Sequence, residues 1–184
     1  MSDVNEGITM IIWINGAYGA GKTTIAEELN KKIKGSFLYD PENIGDFLRH
    51  NLPPSIQKDD FQDYVEWRVW NIHVLNKIHN EFSGDIIVPM TLYKDTAFNG
   101  MIGELRRRNI SLCHFQLEVS RDTIIKRLSE RNPNLTAWGT ERVDDILETF
   151  KKFPIDEKID NDHVSLEEVL EILIKRINNY KLSH

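Results

Sequence analysis

The fold of this chain is decided by residues 10–24, Met10-Ile11-Ile12-Trp13-Ile14-Asn15-Gly16-Ala17-Tyr18-Gly19-Ala20-Gly21-Lys22-Thr23-Thr24. An apolar run of strand character leads into a G-x-x-x-x-G-K-T loop, and a helical pattern follows it. In that context the loop amides and the positive end of the helix face phosphate oxygens. A glycine-rich turn arising by chance would not need both flanks, and the Lys-Thr pair argues against a dinucleotide-binding loop. We therefore predict that the chain binds ATP or GTP.

The loop also predicts individual roles. Lys22 is expected to reach the β- and γ-phosphates, and the Thr23 hydroxyl is expected to hold Mg²⁺. The predicted cofactors are thus ATP and Mg²⁺. The predicted nucleotide-binding residues of the loop are Gly16, Ala17, Tyr18, Gly19, Ala20, Gly21, Lys22, Thr23 and Thr24.

Composition limits the class of protein. A chain of 184 residues with 40% hydrophobic and 28% charged residues is typical of one globular domain, here preceded by a polar leader at residues 1–8. The net charge of −6 argues against a nucleic-acid partner. No apolar run approaches the ~20 residues of a membrane span. The acidic N-terminus is unlike a signal peptide, and the single Cys113 suits a buried site in a reducing compartment. We expect a cytoplasmic protein.

Strand-like and helix-like segments alternate along the chain. This alternation predicts an α/β, P-loop NTPase-type three-layer fold, with a five-stranded parallel sheet and helices on both faces. The strands are expected near 9–15, 36–40, 85–90, 110–119 and 157–163. The helices are expected near 22–34, 41–50, 60–82, 95–108, 120–131, 140–152 and 165–180, the last opened by a Ser165–Glu168 capping box.

The sequence lacks two motifs that would indicate a GTPase or a classical ATPase. A GTPase needs a guanine-binding N-K-x-D, but the nearest string, Asn76-Lys77-Ile78-His79, lacks the aspartate. Classical ATPases place an acid at the end of a strand to hold Mg²⁺. The third strand instead ends in Val88-Pro89-Met90-Thr91. The sequence therefore favours a small kinase that transfers a phosphoryl group to a hydroxyl of a bound small molecule.

Asp40 is the candidate base of such a kinase. It follows the second predicted strand, which is expected to lie next to the strand that carries the P-loop, at the edge where parallel sheets bind ligands. A carboxylate there can accept the proton of the acceptor hydroxyl. The alternative is that Asp40 caps the helix beginning near Pro41. Both roles can hold together.

A pair of arginines follows the fourth strand. Arg127 and Arg131 are four residues apart and share a helix face. The loop opened by Asn132-Pro133-Asn134 is expected to close over the nucleotide as a lid, with Arg131 stabilising the transferred phosphoryl group and Arg127 contacting the nucleotide. The alternative is a solvated basic face, and the role of Arg142 is left open.

The segment after the second strand is expected to face the acceptor. Trp67 could cover a ring or sugar, while Arg68 could bind an anion or polar group. Core packing is the alternative for aromatic residues at helical spacing. The same helix is predicted to bury one stripe, formed by Phe61, Tyr64, Val65, Val69, Ile72 and Leu75.

The chain resembles the bacterial tunicamycin-resistance proteins, which are related to chloramphenicol phosphotransferase and shikimate-type P-loop kinases. The likeness runs from about residue 10 to 175. Beyond the P-loop, its matching stretches are Tyr39-Asp40-Pro41-Glu42, Lys58-Asp59-Asp60-Phe61-Gln62 with Trp67-Arg68, and Ile87-Val88-Pro89-Met90-Thr91.

The resemblance implies an ATP-binding protein whose second ligand is a nucleoside-like antibiotic, with Asp40 as the base. Asp40, Trp67, Arg68 and Thr91 are then the candidate acceptor-binding residues. Two alternatives remain: a protein that sequesters the drug without chemistry, and a metabolic kinase for gluconate, shikimate or a nucleoside. The sequence predicts no nucleic-acid partner and no integral membrane segment, and it does not determine the acceptor or the oligomeric state.

Overall fold

The structure, a computed structural model, describes residues 9–131, 133–152 and 157–183. The strands are β1 (Ile11–Asn15), β2 (Phe37–Leu38), β3 (Ile86–Pro89), β4 (Leu112–Glu118) and β5 (Glu157–Asp160). The longer helices are α1 (Lys22–Lys32), α2 (Glu42–Asn51), α3 (Val65–Glu81), α6 (Arg121–Arg131), α7 (Pro133–Phe150) and α8 (Leu166–Ser183). Between β3 and β4, α4 (Asp95–Phe98), a π-helical turn (Asn99–Gly103) and α5 (Glu104–Arg107) form one continuous helical segment.

The five strands form one sheet in the order β2-β3-β1-β4-β5, and every neighbouring pair is parallel. β1 lies at the centre, paired with β3 through Ile11↔Ile86 and with β4 through Ile11↔Leu112. All five residues of β1 are buried, as expected for a strand covered on both faces. The predicted five-stranded parallel sheet is confirmed, and its central strand delivers the chain directly into the P-loop.

Helices cover the sheet on both faces. α1 packs with α8 in one layer, while α3 packs with the π-helical turn and α5 in the other. α6 and α7 pack on each other. In the described part of the chain, no helix has the length and apolar character of a membrane span.

One predicted loop is a helix. The sequence suggested a loop opened by Asn132-Pro133-Asn134 and a helix from residue 140, whereas α7 begins at Pro133. Proline is tolerated in a first helical turn because the missing N–H has no partner there. Asn132 lies outside the described residues. The segment predicted as a lid is therefore helical from Pro133 onward and packs on α6, and Gly139 lies so close to α6 that an added Cβ would be 2.9 Å from Leu128 Cδ1. Its closure over a nucleotide stays a prediction.

The predicted buried stripe of α3 is partly wrong. Ile72 and Leu75 are buried, but Val65 and Val69 are 57% and 54% exposed. Trp67 takes the inward position and is fully buried. The stripe is displaced because the helix starts later than predicted: Phe61–Asp63 forms a separate 3₁₀ turn before it.

The start of α8 and the end of α1 have capping residues typical of helix ends. The Ser165 hydroxyl and Glu168 carboxylate form the expected capping box, with Ser165 N donating to Glu168 Oε2 at 2.8 Å and Glu168 N donating to Ser165 Oγ at 3.3 Å. Gly35, at φ 76°, ends the turn that follows α1.

A buried imidazole makes stability depend on pH. His114 lies on β4 with no exposed surface, edge to face with Phe98 at 5.3 Å between ring centroids. Burial, followed by the charge of Arg106, lowers the pKa of His114 from 6.5 to about 3. Between those two values the unfolded chain binds a proton that the folded chain excludes, so the free energy of unfolding decreases as the pH decreases.

We expect His114→Leu to reduce the loss of stability between pH 6.5 and pH 4. The native imidazole contributes a slope of up to about 1.4 kcal/mol per pH unit in that range. Urea unfolding at several pH values measures the slope, and His73→Gln, at an exposed position of α3, is the control. An unchanged slope in His114→Leu would show that the imidazole is not the acid-sensitive group.

Candidate active site

The P-loop follows β1 at the carboxyl edge of the sheet, and two of its glycines have left-handed backbones. Gly19 has φ 79° and Gly21 has φ 89°, a region that side chains disfavour. An added Cβ on Gly19 would also lie 3.1 Å from Leu128 Cγ, and one on Gly21 would lie 3.1 Å from Asn161 Nδ2. The loop is thus enclosed by α6 and by the segment after β5.

The start of α1 is suited to an anion. Its N-cap residue, Gly21, offers no side-chain cap, and its first turn, which is fully described, contains no acid. The first amides of a helix lack internal acceptors and sit at its positive end. Lys22 folds over the loop, with Nζ donating to Ala17 O at 2.9 Å and lying 5.7 Å from the Tyr18 ring centroid.

Asn15 and Thr91 form hydrogen bonds with Gly16, the first residue of the P-loop. The Asn15 carboxamide, fully buried, accepts from Gly16 N and Leu92 N, both at 2.9 Å, and donates to Leu92 O at 3.0 Å. The Thr91 hydroxyl donates to Gly16 O at 2.8 Å and is 2% exposed. Thr91, a candidate acceptor ligand by sequence, thus contacts the P-loop itself, and its contact with an acceptor stays a prediction.

A second set of contacts supports the far side of the loop. Asn161, which follows β5, donates from Nδ2 to Ala20 O at 2.7 Å. Arg127 donates from Nη2 to Asn161 O at 3.0 Å, and its buried Nη1 has no hydrogen-bond partner among the described residues. Arg127 is thereby placed against the nucleotide loop, as its predicted role requires. The side chain of Arg131 lies outside the described residues, so its lid role stays a prediction.

Asp40 follows β2 and takes part in a cap. The expectation that β2 lies next to β1 is wrong, because β3 pairs with both strands and lies between them. Its Oδ1 accepts from Glu42 N at 2.9 Å, and its carbonyl accepts from Asn43 N at 3.3 Å. No described residue donates to Asp40 Oδ2. The helix-capping alternative is therefore present in the structure, and one oxygen of this exposed carboxylate remains available to a ligand.

Glu42 stands between Asp40 and the P-loop lysine. Desolvation in the crevice and then the Asp40 carboxylate raise the pKa of Glu42, while Lys22 lowers it. The Glu42 carboxylate thus lies within electrostatic reach of both Asp40 and Lys22, the lysine that is expected to touch the γ-phosphate.

A buried network of hydrogen bonds joins the Asp59-Asp60-Phe61-Gln62 segment to the residues after β3. Asp60 accepts from Gln62 N at 2.9 Å and from the Tyr93 hydroxyl at 2.5 Å. The Gln62 side chain accepts from the amides of Tyr93 and Lys94 at 3.1 and 3.2 Å. Asp60 and Gln62 are 6% and 0% exposed. These bonds fix one wall of the crevice beside the P-loop.

Tyr18 connects this wall to the P-loop and the lid. Burial raises the pKa of Tyr18, and Asp60, Tyr93 and Glu42 raise it further, while Arg142 lowers it. Arg142 also lowers the pKa of Tyr93. The guanidinium of Arg142, carried by α7, is therefore near both phenols, which gives this residue a place that the sequence left open.

Two of the predicted acceptor ligands lie behind the crevice wall. Trp67 has no exposed surface, and its indole N–H donates to Pro41 O at 2.9 Å. Arg68 donates to Gln62 O at 2.6 Å and packs beside Gly100 of the π-helical turn. Both side chains support residues that line the crevice. Direct contact of either with an acceptor stays a prediction.

The residues present fit a nucleotide-bound magnesium ion. Such an ion takes most of its ligands from phosphates and water, with one hydroxyl from the loop. Thr23 supplies that hydroxyl at an exposed position of the first turn of α1. Within the described ranges, no group of three or more His, Cys, Asp and Glu side chains could hold an ion by itself. Thr23 is thus the protein ligand that the site offers.

Comparison with known proteins agrees with this geometry. The sequence profile of an AAA-domain family matches residues 11–153. The chain belongs to this AAA-domain family. Its sheet order and P-loop give it a P-loop kinase-like fold, and no match was found among curated proteins.

Solved structures extend the comparison of this AAA-domain protein. It is similar to the tunicamycin resistance protein of Deinococcus radiodurans, with a TM-score of 0.78, 27% identity, and coverage of 92% of this chain and 95% of that one. The gluconokinase of Sinorhizobium meliloti 1021 matches at TM-score 0.62 and 19% identity, covering 97% and 99%. The shikimate kinase of Bacteroides thetaiotaomicron matches at 0.61 and 17%, covering 92% and 98%. The last two comparisons show the shared fold, and the predicted likeness to tunicamycin-resistance proteins and P-loop kinases is confirmed.

Sequence reasoning assigned no role to several residues that build the site. Asn15 was detectable, because it is the one polar residue at the end of an otherwise apolar strand. Asp60 and Gln62 lie in a motif that was recognised by resemblance alone. Tyr93 and Asn161 carry no local signal, since their roles depend on contacts with residues far away in the chain.

We expect Thr91→Val to destabilise the protein by about 1–3 kcal/mol, because it leaves the buried Gly16 carbonyl without its donor. Nucleotide affinity should decrease as well, since the P-loop loses a contact that positions it. Urea unfolding and calorimetry measure the two effects. Thr96→Val, at an exposed position of α4, is the control. A Thr91→Val variant with wild-type stability would refute the positioning role.

Proposed function

We propose that this protein is an ATP-dependent small-molecule kinase that transfers the γ-phosphate to a hydroxyl of a nucleoside-like antibiotic of the tunicamycin type. The observation that supports this most strongly is that the Glu42 carboxylate interacts electrostatically with both Lys22 of the P-loop and the Asp40 carboxylate. A phosphate-binding cation beside an accessible carboxylate is the minimum that phosphoryl transfer to an alcohol needs.

The charge of the acceptor wall favours an uncharged acceptor. Three carboxylates, those of Asp40, Glu42 and Asp60, lie around the crevice next to the P-loop. Such a wall repels an anionic acceptor such as gluconate or shikimate and tolerates a neutral sugar or nucleoside.

Several nearby cations are already engaged by the protein. Arg49 pairs with Asp46 at 3.3 Å and lies 4.3 Å from the Phe61 ring centroid. Lys94 pairs with Asp63 at 2.7 Å and lies 3.8 Å from Asp60. Arg68 bonds to Gln62 O, while Arg142 of α7 lies near Tyr18 and Tyr93. Similarity to the Deinococcus radiodurans tunicamycin resistance protein supports the same class of acceptor.

The proposed reaction is an in-line displacement. The acceptor oxygen forms a bond to the γ-phosphorus while the bond from that phosphorus to the β,γ-bridging oxygen breaks, releasing ADP. The proton of the acceptor hydroxyl passes to Asp40 Oδ2. Lys22 and the start of α1 hold the phosphate oxygens, and α7 brings Arg142 toward the crevice. Mg²⁺, when bound, neutralises charge on the β- and γ-phosphates.

We expect Asp40→Asn to lower turnover by about 10²- to 10⁴-fold, because an amide cannot accept the proton. Nucleotide affinity should change little, since Asp40 is outside the P-loop, and the Glu42 amide can still donate to the amide oxygen. Turnover is measured by ADP release with mass detection of a phosphorylated drug. Asp46→Asn, one helical turn further along α2, is the control.

Each outcome of the turnover assay supports or refutes one of the candidate functions. Undiminished turnover in Asp40→Asn would refute the base assignment. Saturable tunicamycin binding with no phosphorylated product in the wild type would instead support sequestration. Turnover with gluconate or shikimate and none with tunicamycin would support a metabolic kinase.

A further inference from the structure

The hydroxyl of Tyr93 has a fixed hydrogen-bonding role, because it donates its hydrogen to Asp60. Its oxygen lies 2.5 Å from Asp60 Oδ2, and this carboxylate can only accept, so the hydrogen between them belongs to Tyr93. Burial and the bond to Asp60 raise the pKa of Tyr93, which keeps the phenol protonated. No described residue donates a hydrogen bond to Tyr93 Oη. The phenolic oxygen therefore retains acceptor capacity and has no hydrogen left to give.

The surrounding bonds prevent this arrangement from reversing. Asp60 Oδ1 is occupied by Gln62 N at 2.9 Å, and the Gln62 side chain holds the Tyr93 backbone at 3.1 Å. Lys94 Nζ lies 3.8 Å from Asp60 Oδ2 and forms an ion pair with it. Asp60 is thus held by a backbone amide of its own segment, and the Tyr93 backbone is held by the side chain of Gln62.

The pair lies at the border between the core and the P-loop, since Thr91, two residues before Tyr93, donates a hydrogen bond to Gly16 O. Tyr93 follows β3, the neighbour of the P-loop strand, and is 9% exposed. Tyr18 of the P-loop and Arg142 of α7 both lie within electrostatic reach of it. The phenol is thus at the point where the P-loop, the acceptor wall and the lid helix converge.

We propose that Tyr93 is a specificity-determining residue of the acceptor pocket, whose phenolic oxygen accepts a hydrogen bond from a hydroxyl or N–H group of the acceptor. This inference rests on the proposed function, because it assumes that the crevice holds an acceptor. The pocket then selects a ligand that presents a donor at this point and discriminates against one that presents a carboxylate or ether oxygen there.

Two substitutions test the hydrogen-bonding role of Tyr93 Oη: one removes the oxygen, and the other reverses the direction of its hydrogen bond to residue 60. Tyr93→Phe keeps the ring and deletes the acceptor oxygen. Asp60→Asn keeps the size of the side chain, and its Oδ1 can still accept from Gln62 N. Its amide nitrogen then donates to Tyr93 Oη, so the Tyr93 hydrogen turns toward the pocket and opposes the donor of the ligand.

The test is calorimetric titration of tunicamycin into the full chain in the presence of Mg²⁺ and a non-hydrolysable ATP analogue. We expect Tyr93→Phe and Asp60→Asn each to bind about tenfold more weakly than the wild type. The double variant should bind no more weakly than Asp60→Asn alone, because the Asp60 substitution acts through Tyr93. Affinity for the ATP analogue should stay within about twofold, which also shows that the variants are folded. The control, Tyr180→Phe, loses a comparable bond to Leu112 O at 3.1 Å outside the crevice.

Three results would overturn the inference. Wild-type affinity in Tyr93→Phe would remove Tyr93 from the pocket and leave the proposed kinase intact. Additive losses in the double variant would show that Asp60 does not set the polarity of the phenol. A wild-type protein that binds the ATP analogue but not tunicamycin would overturn the proposed acceptor and the inference together.

Discussion

The site depends on a backbone loop whose conformation is fixed by side chains from neighbouring segments. Asn15 ties the start of the P-loop to the segment after β3, Thr91 bonds Gly16 O, and Asn161 bonds Ala20 O from the other side. Left-handed backbones at Gly19 and Gly21 are disfavoured for most residues, and these contacts maintain them. Since the amides are fixed in advance, a triphosphate need not order the loop on binding.

Around that loop, charge is divided between two sides. Lys22, the start of α1 and the lid helices supply positive potential where phosphates are expected. Asp40, Glu42 and Asp60 supply carboxylates where the acceptor is expected. The division follows from topology, because β1, β3 and β2 end at the same edge of the sheet, so that the P-loop after β1 and Asp40 after β2 lie on either side of the segment after β3. In the proposed function, this division lets a fold shared with gluconate and shikimate kinases take an uncharged acceptor.

Much of the fold was predictable because its signals are local. The apolar run of β1, the G-x-x-x-x-G-K-T loop and the Ser165–Glu168 box each specify their own structure within a few residues. The loop after Arg131 was mispredicted, since Pro133 and the neighbouring asparagines suggest a loop whereas contact with α6 stabilises a helix from Pro133 onward. Tertiary packing there overrides local preference.

The site itself was only partly predictable. Asp40 and Lys22 follow from strand ends and the motif. The Asp60–Tyr93 bond joins residues 33 positions apart and has no sequence pattern. For Trp67 the sequence left core packing as the alternative to acceptor contact, and its full burial and its bond to Pro41 O fit that alternative.

The most direct test is calorimetric titration of ATP with Mg²⁺ into the folded wild-type chain and into Lys22→Ala. The account predicts one saturable site per chain in the wild type, weakened at least about tenfold by loss of the lysine, consistent with a charge-assisted contact of about 1.5–3 kcal/mol. Absence of saturable ATP or GTP binding by the folded wild-type protein would contradict it.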